Sequence, residues 1–175
     1  MSRKVLLGVT GSIAAYKAAE LVRLFVKGGD DVTVVMTPAA AKFVQPLTFQ
    51  TLSRNQVYVD QFAPPAEWKP EHIALSECDV AVVAPATANT LAKMRYGIAD
   101  NLLTATLLAT RAPIVVAPAM NAGMWNAAAT QENVAALKAR GVRFVGPESG
   151  ELACGVEGAG RMASPSEIFN AVARS

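Results

Sequence analysis

Histidine and cysteine are scarce in this 175-residue chain: there is one histidine, His72, and two cysteines, Cys78 and Cys154. Neither cysteine has a C-x-x-C partner, so a structural zinc centre is excluded and no metal is expected. Aromatic residues make up 6% and form no repeating platform for stacking bases. Sixteen Lys and Arg against fourteen Asp and Glu leave a net charge of +2 with no basic stripe, so no nucleic acid partner is expected. No apolar run is long enough to span a membrane, and the run after Met1-Ser2-Arg3-Lys4 is broken by Gly8 and Gly11, too early for a signal-peptide core. A cytoplasmic setting with free thiols and no membrane partner is the expectation.

Charge is also in short supply, at 17% against 52% hydrophobic. That imbalance suggests that other subunits cover some of the surface, although a heavily buried parallel sheet accounts for part of it. No linker, repeat or low-complexity tract divides the chain, and its length suits one domain over residues 1–175.

Short β-branched runs alternate with helical patterns throughout. Strands are expected over 4–9, 32–36, 57–59, 80–84, 113–117 and 142–145. Helical spacing is read after Ser12, where Ala18, Leu21, Val22 and Phe25 recur, and over 39–43, 48–52, 102–110 and 131–140. The 102–110 segment is apolar on every side, which places it in the core or against a neighbouring subunit. Ser164, Pro165 and Glu167 spell a capping box for a last helix. This alternation gives a three-layer α/β/α sandwich with a mainly parallel sheet. The segment 61–71, with three prolines and Trp68, reads as a surface loop.

The richest stretch is Pro85-Ala86-Thr87-Ala88-Asn89-Thr90, directly after a strand buried on both faces. In an open α/β sheet that carboxyl end is where ligands bind. Pro85, lacking an N–H, is expected to stop the ladder, and Thr87, Asn89 and Thr90 offer polar groups at the mouth of a helix over about 91–96. A turn with a helix cap is the alternative reading. Thr10-Gly11-Ser12-Ile13 makes a similar turn after the first strand, where glycine and a hydroxyl suit a phosphate. It is not G-x-G-x-x-G, so a mononucleotide phosphate fits at least as well as a dinucleotide; a tight turn that needs glycine is the other reading. The second strand delivers Thr37 and Pro38 to the same edge, and the fifth delivers Asn121, whose amide can hold a carboxylate or a flavin carbonyl. Met120, Met124 and Trp125 around it are core residues on the simpler view. His72 stands after the proline-rich loop and before the 80–84 strand, which makes an acid–base role the alternative to a surface or packing one. The glycine-rich segment 150–162, with Cys154 near its tip, reads as a loop or floppy hairpin able to close over something.

Taken together, these segments resemble the homo-oligomeric flavin-containing cysteine decarboxylases. Residues 85–90 are similar to that family's P-A-S-A-N-T motif, with Thr87 keeping the hydroxyl of its serine, and residues 118–125 to its P-x-M-N-x-x-M-W motif. The Leu152-Ala153-Cys154-Gly155 loop, ending in Gly160-Arg161-Met162, resembles the substrate clamp of the branch that acts on phosphopantothenoylcysteine, and His72-Ile73 matches the family's histidine. The resemblance runs from Gly8 to Met162. It implies a Rossmann-like or flavodoxin-like sheet and FMN bound by Gly11, Ser12, Ile13 and Thr37 at its phosphate and by Thr87, Ala88, Asn89, Thr90 and Ala119 at its ring. It further implies His72 as base, Cys154 as proton donor, Asn121 as carboxylate clamp, and Met124 and Ala153 as substrate contacts. The family builds its site between subunits of a trimer, often assembled into dodecamers, and in many bacteria the domain is fused to a phosphopantothenoylcysteine synthetase. The chain is therefore expected to be either a stand-alone enzyme or the N-terminal half of a bifunctional one. The implied chemistry is decarboxylation of 4'-phosphopantothenoylcysteine to 4'-phosphopantetheine in coenzyme A biosynthesis. A cysteine carboxylate has no electron sink of its own, and transient oxidation at the thiol-bearing carbon provides one. Peptidyl-cysteine decarboxylases of lantibiotic maturation, flavin prenyltransferases and a non-catalytic FMN-binding subunit of the halotolerance type are the rival readings.

Overall fold

The computed structural model describes residues 2–63, 70–151, 155 and 157–173. Six strands form one sheet in which every pairing is parallel. In chain order they are β1 (Lys4–Val9), β2 (Asp31–Met36), β3 (Val57–Tyr58), β4 (Val80–Ala86), β5 (Ile114–Pro118) and β6 (Arg143–Phe144). Their spatial order is β3-β2-β1-β4-β5-β6, the Rossmann order of doubly wound proteins and not the flavodoxin one. The order reverses between β1 and β4, whose register pairs Val5 with Val80 and Gly8 with Val83.

Alternation along the strands divides the core in two. One face, carrying Val5, Leu7, Val9, Val34, Val82 and Ala117, packs under α1 (Ala15–Lys27), α2 (Pro46–Ser53) and α8 (Pro165–Ala173). The other, with Leu6, Val35, Ala81, Val83 and Val116, packs under α4 (Ala88–Tyr96), α5 (Leu102–Ala109) and α7 (Ala128–Ala139), with Leu75 of α3 (Glu71–Ser76) at its margin. The period-2 alternation of each strand thus feeds two hydrophobic layers at once, which explains the low charge fraction without invoking partners for all of it. The short helix α6 (Ala122–Asn126) follows β5, and an antiparallel pair, β7 (Glu148–Glu151) and β8 (Glu157–Arg161), precedes α8.

Several expectations need correction. Pro85 does not end its strand: the ladder shifts register after Val83 and resumes at Ala86, opposite Pro118. The following helix begins at Ala88, so Ala88, Asn89 and Thr90 form its first turn. His72 is in helix α3 rather than at the end of a loop. Of the two readings of the glycine-rich segment the hairpin holds, since its two arms pair as β7 and β8. Helix α5 packs mostly in the core, as one of its two readings has it, with Leu108 60% exposed on the outer side. At the last helix Ser164 Oγ accepts from the Glu167 N–H, but the Ser164 N–H is taken by Glu148, so only half of the expected box forms.

Helix α5 approaches the sheet closely at Gly8. A Cβ there would sit 2.6 Å from Leu103 Cδ1. Gly8→Ala should therefore cost about 1–3 kcal/mol through overpacking and lower Tm by about 2–4 °C per kcal/mol. An unchanged melting curve would show that Leu103 swings aside freely.

Candidate functional site

A parallel sheet sends every chain segment that leaves a strand to one edge, and here a row of hydrogen bonds lays those segments side by side. The Thr37 N–H, after β2, donates to the Val9 carbonyl at the end of β1 (3.0 Å). Thr10, 1% exposed, then crosses the switch point: its hydroxyl donates to the Pro85 carbonyl at 2.7 Å and accepts from the Thr87 N–H at 3.1 Å. The Ala119 N–H, after β5, donates to the Ala86 carbonyl, and the Met120 N–H to the Gly160 carbonyl of β8, both at 3.0 Å.

The turn after β1 is rich in donors. Ser12 Oγ accepts from the Ala14 N–H (3.3 Å), which leaves its own O–H to donate outward. Thr37 Oγ1 does the same with the Ala40 N–H (3.2 Å). The Gly11 and Ile13 N–H groups make no hydrogen bond among the described residues. Gly11 is glycine for packing as much as for a ligand, because a Cβ there would lie 2.6 Å from Ala39 Cβ. At the neighbouring segment Thr87 is the N-cap of α4: its Oγ1 accepts from the Thr90 N–H (3.3 Å) and pairs with Thr90 Oγ1 (3.1 Å). The cap reading is thus correct for the hydroxyls. It leaves the first N–H groups of the helix, those of Ala88 and Asn89, pointing out of the helix end.

Asn121 is exposed and caps α6, its Oδ1 accepting from the Gly123 N–H at 2.7 Å. Beside it Met124 is half exposed, at 50%, while Ala119 is buried and Met120 and Trp125 pack at the edge of the core. The β7–β8 hairpin is fixed at its base by Glu148. Glu148 Oε2 accepts from Arg161 Nη2 (2.7 Å) and Nε (3.2 Å), and Oε1 from the Ser164 N–H (3.0 Å). The Arg161 guanidinium, helped by that N–H and opposed by burial, holds the Glu148 carboxyl below the usual carboxylate range. A hollow of about 430 Å³ opens beside Thr37, lined by Pro38, Asp60, Phe62, Asn101 and Leu102 among others. Near it, burial and then the Asp60 charge push the Glu71 carboxyl up, and its Oε2 is buried without a partner among the described residues.

The chain that carries this donor-rich edge is similar to known proteins along nearly its full length. The family described as Flavoprotein covers residues 1–175. The chain belongs to the Flavoprotein family. Among curated relatives, the coenzyme A biosynthesis bifunctional protein CoaBC of Haemophilus influenzae is 47% identical over 171 residues, 97% of this chain and 43% of the relative. That of Bacillus subtilis is 46% identical over 168 residues, 95% of this chain and 41% of the relative. The chain thus spans about two fifths of the length of the curated relatives it matches. Among solved structures, a PPC decarboxylase mutant complexed with pantothenoylaminoethenethiol superposes with a TM-score of 0.90 at 34% identity, covering 99% of this chain and 98% of that one. The FMN binding protein AtHal3 gives 0.86 at 34% identity, with 99% and 96% covered.

In this flavoprotein the row of hydrogen bonds brings together the segments bearing Gly11, Ser12, Ile13, Thr37, Thr87, Ala88, Asn89, Thr90, Ala119 and Asn121, with Met124 one turn beyond. His72 is not among them: half-buried on α3, it belongs to the layer of helices that covers the other side of the sheet from α1. Ala153 and Cys154 lie outside the described residues. Among the described residues no group of three or more His, Cys, Asp or Glu could hold a metal, and no helix is long and apolar enough to cross a membrane. Sequence reasoning missed Thr10 and the Glu148–Arg161 pair. Thr10 stands in the quoted turn, but its partners are 75 and 77 residues away.

Thr10→Val should strand the Pro85 carbonyl and the Thr87 N–H and cost about 1–3 kcal/mol, read as a lower urea midpoint, while Thr10→Ser retains most of the stability. A valine variant as stable as the parent would mean that the hydroxyl does not hold the switch point. For Glu148, a lowered carboxyl pKa stabilises the fold above the ordinary value near 4.3 and loses that contribution as pH falls through the lowered one. The pair is partly exposed, so the effect is under about 1 kcal/mol. Tm of the parent should fall more steeply than Tm of Glu148→Gln as pH drops below about 4.3, and parallel profiles would remove the anchor.

Proposed function

We propose that the chain is a single FMN-binding domain that decarboxylates 4'-phosphopantothenoylcysteine to 4'-phosphopantetheine, a step of coenzyme A biosynthesis. The observation that carries this reading is the hydrogen-bonded row itself, which sets an anion cradle, a capped helix mouth and the Asn121 turn next to one another. The donor set fits FMN. Two main-chain N–H groups with no acceptor among the described residues and two hydroxyls that already accept from the backbone, those of Ser12 and Thr37, make one site for one phosphate. The Ala88 and Asn89 N–H groups at the mouth of α4 and the small side chain of Ala119 beside them suit a planar ring. When bound, FMN supplies reversible two-electron chemistry, the electron sink that a cysteine carboxylate lacks.

The chain's own residues have four tasks. Asn121 binds the substrate carboxylate through its amide, with the orientation of that amide set by the Gly123 cap. Met124 and Ala153 contact the substrate. His72 takes a proton during oxidation at the thiol-bearing carbon, and Cys154 returns one to carbon after CO2 has left. A second copy supplies His72, which the row of hydrogen bonds does not bring to the cradle, in a homo-oligomer, a trimer that assembles further into a dodecamer. Exposed Ile13 and Tyr16 at the cradle's rim, 56% and 61% accessible, are suited to such contact. A phosphopantothenoylcysteine synthetase, fused or separate, is the partner, and the compartment is the cytoplasm.

The test is incubation of the FMN-loaded protein with 4'-phosphopantothenoylcysteine and mass analysis for 4'-phosphopantetheine. Asn121→Asp is the informative variant: aspartate keeps the cap on Gly123 but replaces the amide donor with a charge that repels the substrate. It should fold and bind FMN as the parent does and lose turnover by about 10²-fold or more. Parental turnover in that variant would remove Asn121 from the carboxylate site, and absence of product with the parent would remove the reaction.

A further inference from the structure

Strand β8 lies against the Asn121 turn through two glycines that are there for different reasons. A Cβ built on Gly160, where φ is +149°, would come 2.2 Å from the Met120 carbonyl oxygen. Both the backbone conformation and the facing main chain require glycine there. Gly158 is not in the left-handed region, and its Cβ would meet a single obstacle, the Ala122 methyl, at 2.7 Å. Carbon atoms in contact normally sit at about 3.5–4.0 Å, so alanine at 158 would push β8 and the turn apart by roughly 1 Å.

Asn121 is thus held on both sides by one strand. Met120 before it donates its N–H to the Gly160 carbonyl, and Ala122 after it rests its methyl on the bare Gly158 backbone. We propose that the Gly158–Ala122 contact is a positioning element for the substrate-binding amide, setting the height of β8 over the turn and so the place of the Asn121 side chain. The idea rests on the role given to Asn121 above. Asn121 cannot shift relative to the hairpin without breaking the Met120 bond or lifting Ala122 off Gly158. The steric requirement is a pair property: a methyl is allowed on either side of the contact but not on both.

The experiment is a double-mutant cycle on the FMN-loaded protein. Gly158→Ala should raise KM for 4'-phosphopantothenoylcysteine, by as much as about 100-fold, the loss that a displacement near 1 Å can cause, with a smaller change in kcat and no change in FMN affinity. Ala122→Gly alone, which leaves no methyl on either side of the contact, should also raise KM, by less than Gly158→Ala does, and the double variant, which restores one methyl from the other side, should return KM most of the way. Gly160→Ala should be impaired whether or not Ala122 is replaced, because its obstacle is main chain. A second readout needs no turnover: exchange of the Met120 amide should be faster in Gly158→Ala and return to the parental rate in the double variant. A parental KM and exchange rate in Gly158→Ala, or losses that Ala122→Gly fails to repair, would overturn the proposal. Should the parent itself fail to decarboxylate the substrate, the reaction assigned above falls, while the exchange rates still decide whether the contact sets the turn.

Discussion

A hydroxyl with no access to water, on Thr10, sets the spacing of the two strands at which the sheet changes its direction of growth. In a doubly wound sheet the loops diverge at that point and leave a crevice. With the Thr10 hydroxyl accepting from one side of β4's exit and donating to the other, the crevice gains a floor. The turn from β1 and the helix mouth of α4 are thereby held at a fixed separation, and the segments from β2 and β5 attach on either side through main-chain bonds. An unpaired buried carbonyl or N–H is more costly than a paired one is favourable, so this bond constrains geometry more than it adds stability.

Much of this was legible in the chain because buried parallel strands announce themselves. Runs such as Val80-Ala81-Val82-Val83-Ala84 admit few other readings, and each is followed by a polar or glycine-containing turn, so both the layer architecture and the functional edge come from pattern alone. What pattern does not carry is proximity between distant segments. Thr10 and Pro85, or Glu148 and Ser164, become neighbours only when strands take their places in the sheet or hairpin. The half-formed box at Ser164 shows the same limit from the other side: Glu167 is the right residue at the right spacing, but Glu148 reaches the same N–H first.

The glycines of the 150–162 segment mark a second kind of limit. Glycine in sequence signals freedom, and freedom suggests a loop. In the structure Gly158 and Gly160 belong to a paired strand, and what their missing side chains provide is closeness to a neighbouring segment, to a methyl at Gly158 and to main chain at Gly160. The two meanings are identical in one dimension and opposite in three, since one loosens a segment and the other presses it into place. Gly8 and Gly11 tell the same story, facing Leu103 and Ala39.

The row along the carboxyl edge is written mostly in main-chain atoms: Thr37 to Val9, Ala119 to Ala86, Met120 to Gly160. A frame of that kind is indifferent to the side chains mounted on it. Residues facing the crevice can be exchanged, and with them the molecule held there, while the coordinates of the mounting points stay put. The positions that cannot drift are the few where a side chain, or its absence, is itself a member of the frame. The fold should therefore tolerate change least at Thr10, Gly158 and Gly160 and more at the polar residues between them, where an exchange alters what is held and leaves the frame in place.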